Sequence, residues 1–260
     1  MFERKTYKEI AKRQLKGRWT TPVLATLLAT VILGMLNIPS LFESFSNLVN
    51  SLNNGGVDYD AVTSDSGFSY FLSYSNSTPV SSRGGLISSL VSLFISGVLL
   101  IAQINLYLIL SHTTEVQPFG TFIRGFASWL DGFLGVLWYS LWVFLWSLLF
   151  VIPGIVKAYS YSQMFFILAE HPGVGVTKAM RLSKAITKGY KGDLFVMTLS
   201  FIGWGILSCL TFGILGLWVR PYQFMSFTNA YHALKARAIE AKVVTMEDFT
   251  GVSGDVNNGN

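Results

Sequence analysis

Lys157, Tyr159, Tyr161 and Gln163 stand close together in the chain, and Arg220, Tyr222 and Gln223 form a similar group further on. A cation beside phenols and amides can hold an anion, because the cation supplies charge while hydroxyls and amides supply directed hydrogen bonds. One reading is therefore an outward-facing cavity for an anionic headgroup or solute. The plainer reading is that Lys157 and Arg220 snorkel to headgroups and the tyrosines join an interfacial aromatic belt.

A second group, Lys178, Arg181, Lys184, Lys188 and Lys191, punctuates "GVTKAMRLSKAITKGYK". Val176, Ala179, Met180 and Ile186 fall opposite these cations at helical spacing, which predicts an amphipathic helix on a membrane surface. It would contact anionic lipid headgroups or dock a membrane protein partner. The histidines offer less. His112 with Glu115, and Glu170 with His171, are competent donor pairs for a metal. All three histidines, His232 included, also fall near helix ends where a solvated imidazole is ordinary, so no metal site is assigned. Cys209 is the sole cysteine, which excludes an intrachain disulfide. No phosphate loop, HExxH, nucleophile elbow or dinucleotide fingerprint occurs, no cofactor is implied, and the expectation is a protein that is not an enzyme.

These residues hang on an oily frame. The chain is 51% hydrophobic and only 13% charged, against roughly 25% charged for a soluble domain. Residues 19–42, 84–114, 132–156 and 194–219 carry no charge, and each exceeds the ~20 residues a helix needs to cross a bilayer. Two shorter apolar stretches, near 155–171 and 216–235, decide the topology. If both cross, 16 of the 19 Lys and Arg lie on one side, leaving Arg83, Lys157 and Arg220 on the other. The positive-inside rule prefers that arrangement, with both termini cytoplasmic.

The expected fold is thus an all-α multi-pass bundle of six spans, at about 20–39, 86–110, 133–152, 155–171, 194–213 and 216–235. A basic amphipathic helix (1–18) precedes it, a polar extracytoplasmic loop (40–85) follows the first span, and a cytoplasmic tail (236–260) closes it. Pro153 and Gly154 are expected to make an outer turn, as are Gly213 and Gly216 ahead of Pro221. Gly203, Trp204 and Gly205 are expected to thin the fifth span for close helix packing. Gln103, Asn105 and Asn229 are expected to hydrogen-bond between helices. Asn76-Ser77-Thr78 matches a glycosylation sequon. The high pI (about 9.3) reflects cations beside apolar runs, so no nucleic-acid partner is inferred, and no oligomeric state is implied.

Short likenesses suggest an internal repeat. "YSQMFF" (161–166) parallels "YQFMSF" (222–227), and "LKGRW", "IRGFASW" and "TKGYKG" each precede a span. Three units of surface helix, outward span and return span would account for the chain.

"LLFVIPGIVKAYSYSQMFFILAEHP", "AMRLSKAITKGYKGDLFVMTLSFIGWGILSCLTFGILGLWVRPY" and "AYHAL" together resemble a family of bacterial integral membrane proteins catalogued as domain of unknown function 975. The resemblance covers about residues 1–235, with Ile152-Pro153-Gly154, Ser183-Lys184, Lys188-Gly189 and Pro221-Tyr222 among its marks. It implies a multi-span protein of the bacterial cytoplasmic membrane with no assigned activity. The functional expectation is a non-enzymatic component that binds lipid or a partner in envelope homeostasis or export. A transporter or channel for a small or amphipathic solute is the alternative.

Overall fold

The computed structural model describes residues 2–53 and 86–249. Those residues are helical, with no strand among them. In chain order the α-helices are α1 (Arg4–Leu15), α2 (Thr20–Asn53), α3 (Leu86–His112), α4 (Gly120–Arg124), α5 (Trp129–Leu149), α6 (Val151–Tyr161), α7 (Met164–Glu170), α8 (Val176–Ile186), α9 (Lys191–Leu199), α10 (Ile202–Leu210) and α11 (Gly216–Glu240). Short 3-10 turns occupy Gly125–Ser128 and Glu247–Phe249.

Three stretches, Leu90–His112, Gly120–Leu149 and Lys191–Leu210, are long and apolar enough to cross a membrane. Arg4–Leu15 with Thr20–Leu36, bent by 101°, makes a fourth if the pair counts as one. They differ in surroundings. The apolar window of the first is 67% buried within the protein, whereas those of the second and third are 22% and 17% buried. α3 is therefore the central helix, while α5 and α9–α10 turn large apolar side chains outward.

Several boundaries differ from the sequence expectation. Helix α2 continues to Asn53, so residues 40–53 are helix rather than loop. Leu41, Phe45, Leu48, Val49 and Leu52 recur at the helical period there, a signal masked by the intervening Ser and Asn. The rest of the expected loop, with its sequon, lies outside the described residues, as does 250–260. The tail is folded as far as Phe249, which is fully buried and lies against the His171 ring at 5.5 Å.

The hairpin between α5 and α6 turns at Phe150, in extended conformation (φ −158°, ψ 145°). Pro153 and Gly154 sit inside the first turn of α6, where proline's missing N–H costs nothing. Gly154 serves closeness instead: a Cβ there would stand 3.0 Å from the Cα of Ser147. Pro221 likewise lies inside α11 rather than in a turn. The turn before it is made at Phe212 (φ 51°) and Gly213 (φ 82°), and Gly216 packs against Ser208. A Cβ on Gly203 would meet open space, and its neighbour Trp204 is half exposed. Close packing around Gly203 is thus not used within the chain.

The amphipathic helices bury their apolar faces in protein. α1 lies on α11, with Ala11 and Leu15 fully buried. Asn229 of α11 donates to Gln14 Oε1 (2.8 Å), so this amide joins α11 to α1. Arg18 donates to the carbonyls of Leu110, Thr113 and Glu115, satisfying one carbonyl of the last turn of α3 and two of the segment that follows it. The α4 and Gly125–Ser128 turns lie on α3, with Gly125 against the backbone of Ala102. α8 lies on α6 and α7, where Ser183 and Thr187 both donate to the Ser160 carbonyl (2.9 and 3.2 Å).

Candidate functional site

The residues expected to ring one cavity have separate neighbours. Lys157 places its ammonium over the Trp146 ring at 4.2 Å, within electrostatic reach of Lys184 and Lys191. Arg220 reaches Thr30 Oγ1 at 3.4 Å. Tyr159 packs edge-on against Phe195, and Tyr222 against Phe201 with the Lys12 ammonium over its ring. Tyr159 and Tyr222 meet around one apolar cluster, with Phe2, Leu194 and Phe201. Gln163 is fully buried, bonded to Ser162 Oγ through Nε2, with its Oε1 unpartnered. Gln223 is half-buried on α11.

Tyr161 joins a different constellation. With Trp138, Trp142, Thr177, Met180, Arg181 and Lys184 it lines a recess of about 280 Å³. Local spacing builds it. Trp138 and Trp142 are one turn apart on α5, their rings edge-on at 6.1 Å, while Thr177, Met180, Arg181 and Lys184 share one face of α8. The opposite face of α8 is held by buried Ala179, Leu182, Ser183 and Ile186, so the recess face is fixed. Arg181 and Lys184 are exposed at the rim, and Trp142 Nε1 is a buried donor without a partner. Aromatic walls under two cations suit an amphipathic anion: hydrocarbon against the rings, negative charge at the rim. Lys188 is exposed on the same segment, and Lys178 and Lys191 are half-buried.

A second convergence lies where α3 and α7 end against α11. Glu170 Oε2 accepts from Lys235 Nζ (2.6 Å) and from the Tyr231 hydroxyl. Lys235 also donates to His171 Nε2 (2.8 Å), which requires a neutral His171, since an ammonium has no acceptor. Asn105, Leu108, His112, Thr113, Ala169 and Glu170 are among the residues lining an adjoining recess of about 370 Å³. The donor pairs read from adjacency, His112 with Glu115 and Glu170 with His171, are replaced by a trio. One donor atom each of His112, Glu170 and His232 lies within 4.8 Å of the others. Tyr231 and Lys235, one turn apart within the late helix, were the available sequence signal for Glu170's partners.

Among the described residues, a helical fold without strands, with outward-facing apolar hairpins and the recesses above, is the class these features define. The chain belongs to the family described as Protein of unknown function (DUF975), which matches residues 1–238. No curated protein and no solved structure matches it.

Proposed function

We propose that the protein is a non-enzymatic integral component of the bacterial cytoplasmic membrane that binds anionic phospholipid at the Trp138, Trp142, Tyr161, Arg181 and Lys184 recess. One observation carries this reading: the surface is apolar along the hairpin tips and turns cationic where the hairpins end. Leu148, Phe150, Ile152, Leu210 and Phe212 are 68–98% exposed, a cost in water that a bilayer removes. Lys157 and Arg220 lie on the limbs that return from those tips, and Lys184 and Lys191 lie near Lys157.

The same contacts bear on topology. Six crossings would put Lys157 and Arg220 on the face opposite the basic helices. Yet Ser160, one turn from Lys157, bonds to Ser183 and Thr187 of the α8 segment. Lys8 of α1 donates to Ser200 Oγ, and Lys12 lies over Tyr222, two residues from Arg220. Beyond α1, the second hairpin rises only through Ile202–Leu210, about 14 Å of helix, against a hydrocarbon core of about 30 Å. This supports a second hairpin, 191–220, that enters and leaves one leaflet, and a first, 129–157, whose return limb from Phe150 to Ser160 is only about 15 Å of helix and so brings Lys157 back to the same face. The full crossings then fall to α2 and α3, and both termini stay on the cytoplasmic face. The threefold repeat gains support from packing: α1 lies on α11, the Gly125 turn on α3, and α8 on α6 and α7, each surface helix on the return helix of the preceding unit.

The test is lipid retention. Purified in detergent, the protein should hold phosphatidylglycerol in preference to phosphatidylcholine. Removing two headgroup-level cations, each worth about 1 kcal/mol, through Arg181→Gln with Lys184→Gln should weaken that preference about thirty-fold without altering thermal stability. An unchanged preference would remove the recess from the account.

A further inference from the structure

His112 and His232 are not merely solvated helix ends. His112 closes α3 and His232 lies within α11, and their rings meet edge-on at 4.7 Å. Ser111 orders the pair. Its hydroxyl hydrogen is committed to the Leu108 carbonyl (2.6 Å), so its oxygen accepts from His232 Nε2–H at 2.9 Å. That bond fixes the tautomer and leaves His232 Nδ1 with its lone pair. Glu170 is ordered in the same way: Tyr231 and Lys235 both bond to Oε2, so Oε1 is turned to neither.

We propose that His112, Glu170 and His232 bind a divalent transition-metal ion of the zinc class, with a coordination position open to the adjoining recess. Two imidazoles and a carboxylate are a zinc donor set that keeps a place for water or ligand. Partners behind the donors, here Ser111, Tyr231 and Lys235, are what metal sites use to orient their ligands. The 4.8 Å spread exceeds the roughly 3.4 Å between donors around a tetrahedral zinc with bonds of about 2.1 Å. His112 is exposed and free to rotate inward. The Lys235 ammonium opposes a second cation nearby, so the site has a built-in restraint on its affinity. This inference uses only the C-terminal ends of α3 and α7 and the interior of α11, and stands apart from lipid binding and topology.

The test uses the full chain in detergent, stripped with a chelator and titrated with Zn²⁺, with bound metal counted by mass spectrometry. One zinc per chain is expected. Ser111→Ala should weaken binding 10–100-fold, the usual effect of losing an outer partner, and His112→Ala should weaken it further. Glu115→Ala, three residues beyond His112 and outside the trio, should leave it unchanged. Sub-stoichiometric zinc, or His112→Ala binding as the parent does, would overturn the proposal.

Discussion

Gly97 and Gly132 mark the crossing of α3 and α5, and replacing one of them tests whether these helices meet backbone to backbone. A Cβ on Gly97 would stand 2.6 Å from the Gly132 carbonyl oxygen and 2.9 Å from its carbon. Ordinary carbon contacts lie near 3.5 Å, and a backbone obstacle has no rotamer by which to yield, so the helices must part by about 1 Å. Overpacking of this kind costs about 1–3 kcal/mol. Alanine returns about 1 kcal/mol of helix propensity over glycine. With a rigid obstacle the cost falls at the upper end, so Gly97→Ala should lose about 1–2 kcal/mol net. At about 2–4 °C per kcal/mol for a chain of this size, Tm falls by roughly 2–8 °C. Gly34, within α2, has nothing within 4 Å of the added carbon. Gly34→Ala should raise Tm by about 2–4 °C, through propensity alone. Thermal unfolding of the two variants in one detergent, followed by fluorescence-detected gel filtration, reads both signs. If Gly97→Ala stabilises as Gly34→Ala does, the helices do not cross at the glycines.

Two other predictions concern polar groups. Arg18→Met should leave the carbonyls of Leu110, Thr113 and Glu115 without their donor, costing about 1–3 kcal/mol, and limited proteolysis should cut sooner within residues 113–119. Glu170→Gln and Lys235→Met should each destabilise, but the double variant should lose less than their sum. The coupling expected for residues sharing a hydrogen-bonded network is about 0.5–3 kcal/mol, measured by denaturant unfolding; strict additivity would mean the 2.6 Å contact carries no energy.

Much of the frame was legible in the sequence because hydropathy and helix period are local properties. Among the described residues the uncharged stretches are mostly helix, "VTKAMRLSKAI" is an amphipathic helix, and the chain does turn back near residue 150. Positions depending on which helix faces which were not legible. Pro153 looked like a turn residue but occupies a first helical turn, where its chemistry is equally satisfied. Run length gives how far a helix extends, not how deep it sits. The depth proposed for the hairpins rests on Ser160 meeting Ser183, a contact no local spacing announces. The candidate sites were hidden for the same reason. Glu170 finds its cation 65 residues away, and the His112, Glu170 and His232 trio comes from three separate helices.

The central claim is that both apolar hairpins return to the face from which they enter. In a Cys209→Ser background, single Lys157→Cys, Lys184→Cys and Arg220→Cys variants are exposed to a membrane-impermeant thiol reagent in right-side-out and inverted vesicles. All three should react from the cytoplasmic face, while Phe212→Cys, at a hairpin tip, should react from neither. Labelling of Lys157→Cys and Arg220→Cys from the outer face, with Lys184→Cys from the inner, would contradict the account and restore six crossings.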